Sequence, residues 1–167
     1  MSKSESLTTL LDTLPQVGKV GWIGIRPARG EPMESLERVR VHQGSGLEGD
    51  RYNGRATSRR QVTLIQQEHL PVIASCAGHE SLEAAALRRN LVISGINLLA
   101  LKDKRFHVGE VLLEYTGPCD PCSKMEALLG AGGYNAMRGH GGITARVLEE
   151  GEIALGDAVW QAGSSPT

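Results

Sequence analysis

Glycine recurs along this chain at intervals too short for long helices. There are 21 glycines in 167 residues, and stretches such as "VGKVGWIGIRP" and "RGHGGITARV" carry several each. Glycine weakens a helix or strand interior but is the natural residue of tight turns, where positive φ is needed. With only one Phe, three Tyr and two Trp, the core has to be aliphatic. Short strands and hairpins are therefore expected over a helical bundle.

The hydrophobic pattern agrees. "VGKVGWIGIRP" and "SLERVRVHQGSG" read as strands, with Val39 and Val41 alternating against Arg38, Arg40 and His42, as a half-buried strand requires. A hairpin is expected across "ARGEPME". "LVISGINLLAL", "RFHVGEVLLEYTG" and "GITARVLEEGEIALGDAVWQ" read as further short strands, the last as a hairpin around "EEGE". "RRQVTLIQQEHLPVIASCAG" opens on a strand-like run, Val62 to Ile65, and continues as a helix through Ile73. "HESLEAAALRRN" predicts a stronger helix starting near His79 or Ser81. Ser4 to Leu14 sets Leu7, Leu10, Leu11 and Leu14 at helical spacing until Pro15 stops it, a piece expected to dock on the barrel, meet a partner or fray. Many short strands with few helices define a mainly β fold, a barrel or a sandwich.

The length suits one domain with a real core. A formal net charge of -1 gives no general pull toward nucleic acid or membrane, and neither partner is expected. No apolar run approaches the roughly 18 residues that span a bilayer, and the start carries acidic residues and no signal-like block, so a cytoplasmic location is expected. Three cysteines are too few for a disulfide framework, and reduced thiols are the default.

"GSGLEG" (Gly44 to Gly49) matches a dinucleotide fingerprint, with Glu68 about 20 residues on. The helix that should follow is missing, because "DRYNGRATSRR" holds Asn53-Gly54 turn chemistry and no apolar stripe. The loop still crowds Asp50, Arg51, Arg55, Arg59 and Arg60 beside glycines, which suits a phosphate-bearing ligand or a merely solvated basic loop. Asp50 serves equally as a local salt-bridge or turn residue. Arg88 to Asn90 end a predicted helix with cations, which its dipole favours without any function.

In "TGPCDPCSKMEALL" Cys119 and Cys122 are separated by Asp120 and Pro121. Half a zinc site, completed by His107 and His140, is one reading. A dithiol between a strand and a short helix is another, although the βαβ setting of such sites is not evident here. Cys76 sits alone in a helical, aliphatic pattern. His140, among glycines, is expected near an accessible turn.

Taken in order, "GLEGDRYNGRATSRRQVTLIQQE", "RRNLVISGINL", "FHVGEVLLEYTGPCDPCSKM" and "GGITARVLEEGEIALGDAV" resemble the MOSC domain, the C-terminal domain of molybdenum cofactor sulfurases. The resemblance covers roughly Val17 to Val159. It implies a strand-rich β-barrel with a few peripheral short helices, of the pyruvate-kinase-barrel-like type. The organisation it suggests is an N-terminal extension over 1–16, the MOSC domain over 17–161 and a disordered tail over 162–167.

The resemblance also implies a ligand, the molybdenum cofactor, a pterin carrying a dithiolene and a phosphate. Gly49, Asp50, Arg51, Arg60, Arg89 and Asn90 then become the cofactor-binding residues, since phosphate and pterin suit guanidinium and backbone N–H groups. The family's reactive cysteine matches Cys122, expected to be the catalytic thiolate and the molybdenum ligand. The part played by Cys119 stays open between resolving thiol and bystander.

Three mechanisms follow. Cys122 thiolate ligates molybdenum in an oxidoreductase acting on N-hydroxylated bases or related compounds such as amidoximes; or Cys122 carries sulfur as a persulfide, its nucleophilicity raised by the helix N-terminus; or the chain is a non-catalytic cofactor carrier. The chain shows no lysine motif for pyridoxal phosphate and no four-cysteine set for an iron–sulfur cluster. A redox partner or a cysteine desulfurase is thus expected to be a separate protein. The small stand-alone bacterial members favour the redox reading.

Overall fold

The structure is a computed structural model that describes residues 6–52, 54–55 and 57–163. Its strands are β1 (Gly18–Ile25), β2 (Glu34–Leu36), β3 (Arg38–His42), β4 (Gly46–Leu47), β5 (Val62–Gln66), β6 (Leu91–Ser94), β7 (Arg105–Val108), β8 (Val111–Pro118), β9 (Ile143–Glu149), β10 (Gly151–Ala154) and β11 (Ala158–Gln161). The helices are α1 (Leu7–Asp12), α2 (His69–Ala77), α3 (Ser123–Leu129) and α4 (Gly133–Met137). No helix of the described residues is long and apolar enough to cross a membrane.

Seven strands form a closed barrel in the order β1, β11, β7, β8, β9, β5, β6 and back to β1. Closure is made by Gly18 against Val159 and Lys19 against Ala158. β2 hangs on the edge of β1 as the expected hairpin partner. The "SLERVRVH" segment divides at Glu37, because β3 leaves the barrel sheet and pairs with β10 and β4 in a three-stranded sheet. Val39 and Val41 are buried and Arg38 and Arg40 exposed, as their alternation predicts.

The β5–β6 pair is parallel, so the chain must cross over, and α2 with a 3-10 turn at Ala84–Leu87 makes that crossing. Covered on both faces, β5 is buried at every position. Val62 and Leu64 enter the barrel core, whereas Ile65 joins Ile73, Leu87, Val92, Met125, Leu129 and Met137 in a second core beneath the helices. Full burial of one such side chain contributes ~1.5–3 kcal/mol. The second core is therefore what holds the short helices α3 and α4 in place.

Two expectations are corrected. The last segment is not a hairpin around "EEGE": both edges of β9 are already taken by β5 and β8, so β10 lies along β3 instead. The helix expected over "HESLEAAALRRN" shrinks to the 3-10 turn, with Glu83 extended and Arg88 left-handed at φ 57. Tertiary demands override propensity there: the segment must return to β6 while Leu82, Ala84 and Leu87 pack on the second core.

At the N-terminus, Ser6 caps α1 by accepting from the Thr9 N–H. The helix is tied to the barrel by Lys104 on Asp12 at 2.8 Å and by burial of Leu14. Ser4, Asn53 and residues 164–167 of the expected tail lie outside the described residues.

Candidate functional site

A cleft of about 290 Å3 opens where the end of β1, the loop after β4, the start of β5, the Leu87–Arg89 turn and the start of α3 converge. Among the described residues its lining includes six cations, Arg26, Arg51, Arg60, Arg88, Arg89 and Lys124, together with Tyr52, Thr63 and Cys122, and no carboxylate. Cations so concentrated repel one another unless an anion sits among them. A larger groove beside α1, about 550 Å3, mixes Lys102 and Lys104 with Asp12 and Asp103 and holds no thiol. The chemistry therefore singles out the arginine cleft.

Each cation is held differently. The Arg26 guanidinium is paired with Asp50, whose side chain is only 1% exposed, and the Arg51 N–H donates to the Arg26 carbonyl at 2.7 Å. The loop that carries Arg60 is anchored by Gln61, which donates to the carbonyls of Arg55 and Ser58 and accepts from the Val147 N–H. Arg88 donates to the Glu31 carbonyl.

Arg89 is the unusual one. It is 6% exposed, and among the described residues its hydrogen bonds go to three backbone carbonyls: Gly141 at 3.0 Å, Leu87 at 2.9 Å and Cys119 at 3.4 Å. Burial lowers its pKa, the adjacent Cys119 opposes that, and Arg60 adds to the lowering. A guanidinium nonetheless stays charged at any ordinary pH, so a buried positive charge stands at the cleft with no carboxylate partner among the described residues.

The two cysteines part company. Cys119, just beyond β8, is 1% exposed, and its Sγ accepts from Arg60 Nη2 at 3.5 Å. Cys122 is exposed, lines the cleft and stands at the N-cap of α3. Behind them runs the "GHGG" loop, packed so closely at Gly141 and Gly142 that only glycine fits there. A Cβ on Gly141 would strike the Cys119 carbonyl, and one on Gly142, whose φ is +90, would strike that of Leu64.

Of the sequence candidates, Arg51, Arg60, Arg89 and Cys122 are brought together. Asp50 faces Arg26, and Asn90 is consumed as a clamp between strands, accepting from Thr63 and donating to the Gly24 carbonyl. Gly49 takes φ +86 and shapes the loop without lining the cleft. Arg55 and Arg59 also stay outside it, Arg59 donating to the Thr116 carbonyl. Arg26, Tyr52, Thr63, Arg88 and Lys124 were not singled out as ligand residues. The one available signal was Arg26 closing a predicted strand before proline. His107 stacks on Trp160 and His140 meets His69 edge-on, and no group of three metal-ligating residues exists among the described residues, so the zinc reading loses its ligands.

The closed barrel thus carries, among the described residues, an exposed thiol on a cleft lined by arginines. The chain belongs to the MOSC domain family, whose model matches residues 38–160. Its fold is similar to that of the YuaD protein from Bacillus subtilis, at TM-score 0.76 and 20% identity, covering 88% of this chain and 97% of that one. YiiM from Geobacillus stearothermophilus is similar at TM-score 0.67 and 19% identity, covering 89% and 80%. YiiM from Escherichia coli follows at 0.63 and 19%, covering 88% and 71%. No curated protein matches the chain.

Proposed function

We propose that this protein binds the molybdenum cofactor in the arginine cleft and works as an oxidoreductase on N-hydroxylated bases, with electrons supplied by a separate protein. One observation carries the reading: the exposed Cys122 thiol opens onto a cleft lined by six cations and no carboxylate. The donor set fits the group. Guanidinium groups suit its phosphate and polar pterin edge, and a thiolate suits molybdenum.

Bound there, the cofactor supplies two-electron redox chemistry at molybdenum. The chain's residues do the rest. Arg89, buried and fixed by three carbonyls, offers charge with no reorganisation. Arg26, held by Asp50, and Arg51 fix the outer wall, and Cys122 presents its sulfur. Reduction of an N–OH group to N–H takes up an electron pair and two protons and releases water. In this reading the pair comes from a separate protein, since three cysteines are too few for a four-cysteine cluster in this sequence.

The test is metal analysis with X-ray absorption on the wild type and Cys122→Ser, both produced in cells that make the cofactor. The wild type should hold molybdenum, and the variant should lose it or lose one sulfur ligand. Unchanged molybdenum content and sulfur ligation would sink the ligand assignment. A persulfide on Cys122 with no molybdenum would favour sulfur carriage, and bound cofactor with no Cys122-dependent reduction would favour a carrier.

A further inference from the structure

We propose that Cys119 is a resolving thiol, which captures peroxide-oxidised Cys122 as an internal disulfide and so makes the cleft a reversible oxidation site. The inference rests on the reading that Cys122 is the reactive thiol.

A buried cysteine that serves only packing sits among aliphatic groups. Cys119 does not: its Sγ accepts a hydrogen bond from Arg60 at 3.5 Å, and Arg60 shares the cleft with Cys122. The Cys119 carbonyl accepts from Arg89, so Cys119, though not itself part of the lining, packs directly behind two residues that are, Arg60 and Arg89. Asp120 and Pro121 between the two cysteines belong to neither a helix nor a strand. Local rearrangement of this short link need not break β8 or α3.

The step balances with hydrogen peroxide as oxidant. Cys122 thiolate attacks the peroxide O–O bond; the S–O bond forms, the O–O bond breaks, and hydroxide leaves as water after taking a proton. Cys122 sulfur is oxidised by two electrons and the peroxide is reduced. Cys119 sulfur then attacks Cys122 sulfur; the S–S bond forms, the S–O bond breaks, and the departing oxygen leaves as water with the Cys119 proton. Arg60 holds the Cys119 sulfur in place by its hydrogen bond. Closure prevents further oxidation of Cys122 to sulfinic acid, which thiols do not reverse.

The experiment treats the full chain, carrying Cys76→Ala so that the exposed third thiol is removed, with hydrogen peroxide and follows intact mass and peptide maps. Loss of two hydrogens and a Cys119–Cys122 peptide, reversed by dithiothreitol, is expected. With Cys119→Ser added, Cys122 should instead gain oxygen atoms. Arg60→Gln should slow bridge closure several-fold. Equal accumulation of sulfinic acid on Cys122 with and without Cys119, or a bridge joining two chains, would overturn the proposal. Molybdenum content of the same samples tests the cofactor reading separately. A bridging chain that never holds molybdenum upholds the resolving thiol and removes the cofactor.

Discussion

Asp50 grips Arg26 at three points: Oδ1 accepts from the Arg26 backbone N–H at 2.7 Å and from Nε at 3.2 Å, and Oδ2 accepts from Nη2 at 2.8 Å. The grip links the end of β1 to the loop after β4 and points the guanidinium along the cleft wall. Asp50→Asn keeps the shape and removes the charge. It should cost about 1–3 kcal/mol, since a largely buried guanidinium loses its counter-charge. A lower urea midpoint at unchanged m-value is the expected signature.

Arg89→Lys keeps the charge but cannot reproduce a planar fork spread over three carbonyls. Destabilisation of about 1–3 kcal/mol is expected from the carbonyls left unpaired. Calorimetry with pyrophosphate should show weaker binding than wild type, and a lysine variant that binds equally would mean the fork is not used.

Gly142→Ala tests the packing of the "GHGG" loop. The new methyl group would meet the Leu64 carbonyl at a backbone φ of +90, a conformation that costs a side-chain-bearing residue of order 1–3 kcal/mol. Because Gly141 accepts from Arg89, the shift should also weaken pyrophosphate binding. Gly139→Ala, where an added Cβ meets nothing within 4 Å, should spare that binding while still bearing its own positive φ.

Burial holds the His69 imidazole below its ordinary pKa of 6.5, the neighbouring His140 adds to this and Glu68 opposes it. The unfolded chain then binds more protons than the folded one between the two pKa values. Stability from this source is fully present above about pH 6.5 and is lost as pH falls through the folded value. Glu68, held below 4.5 chiefly by its hydrogen bond from Gln66, has the same sign in a more acidic window. Urea midpoints taken across pH should therefore fall below pH 6.5, and His69→Asn should flatten that limb while leaving the acidic one.

Much of the barrel was legible because its strands announce themselves locally. Val39 and Val41 alternate, Val62 to Ile65 form a solid apolar run, and glycines mark the turns. Pairing was not legible where it depended on which edges were free: nothing in "EEGE" says that β9 is already flanked on both sides. Nor could the helix over "HESLEAAALRRN" be discounted, because the need to return beside β5 is not a local property.

At the site, Arg51, Arg60, Arg89 and Cys122 stood in stretches whose glycines, prolines or clustered charge drew notice. Arg26 did not, since a single arginine at a strand end is ordinary until its distant carboxylate is known. Asn90 shows the converse: a polar residue beside cations looked like a ligand group, yet its amide is spent on Thr63 and Gly24.

Closure of the barrel by β11 on β1 has a consequence for synthesis. The ribosome delivers β1 before β11, so β1 lacks that neighbour until Ala158–Gln161 have emerged. Through that interval the sheet carries open edges able to pair with other nascent chains. Docking of β11 on β1 is therefore the step that removes those open edges.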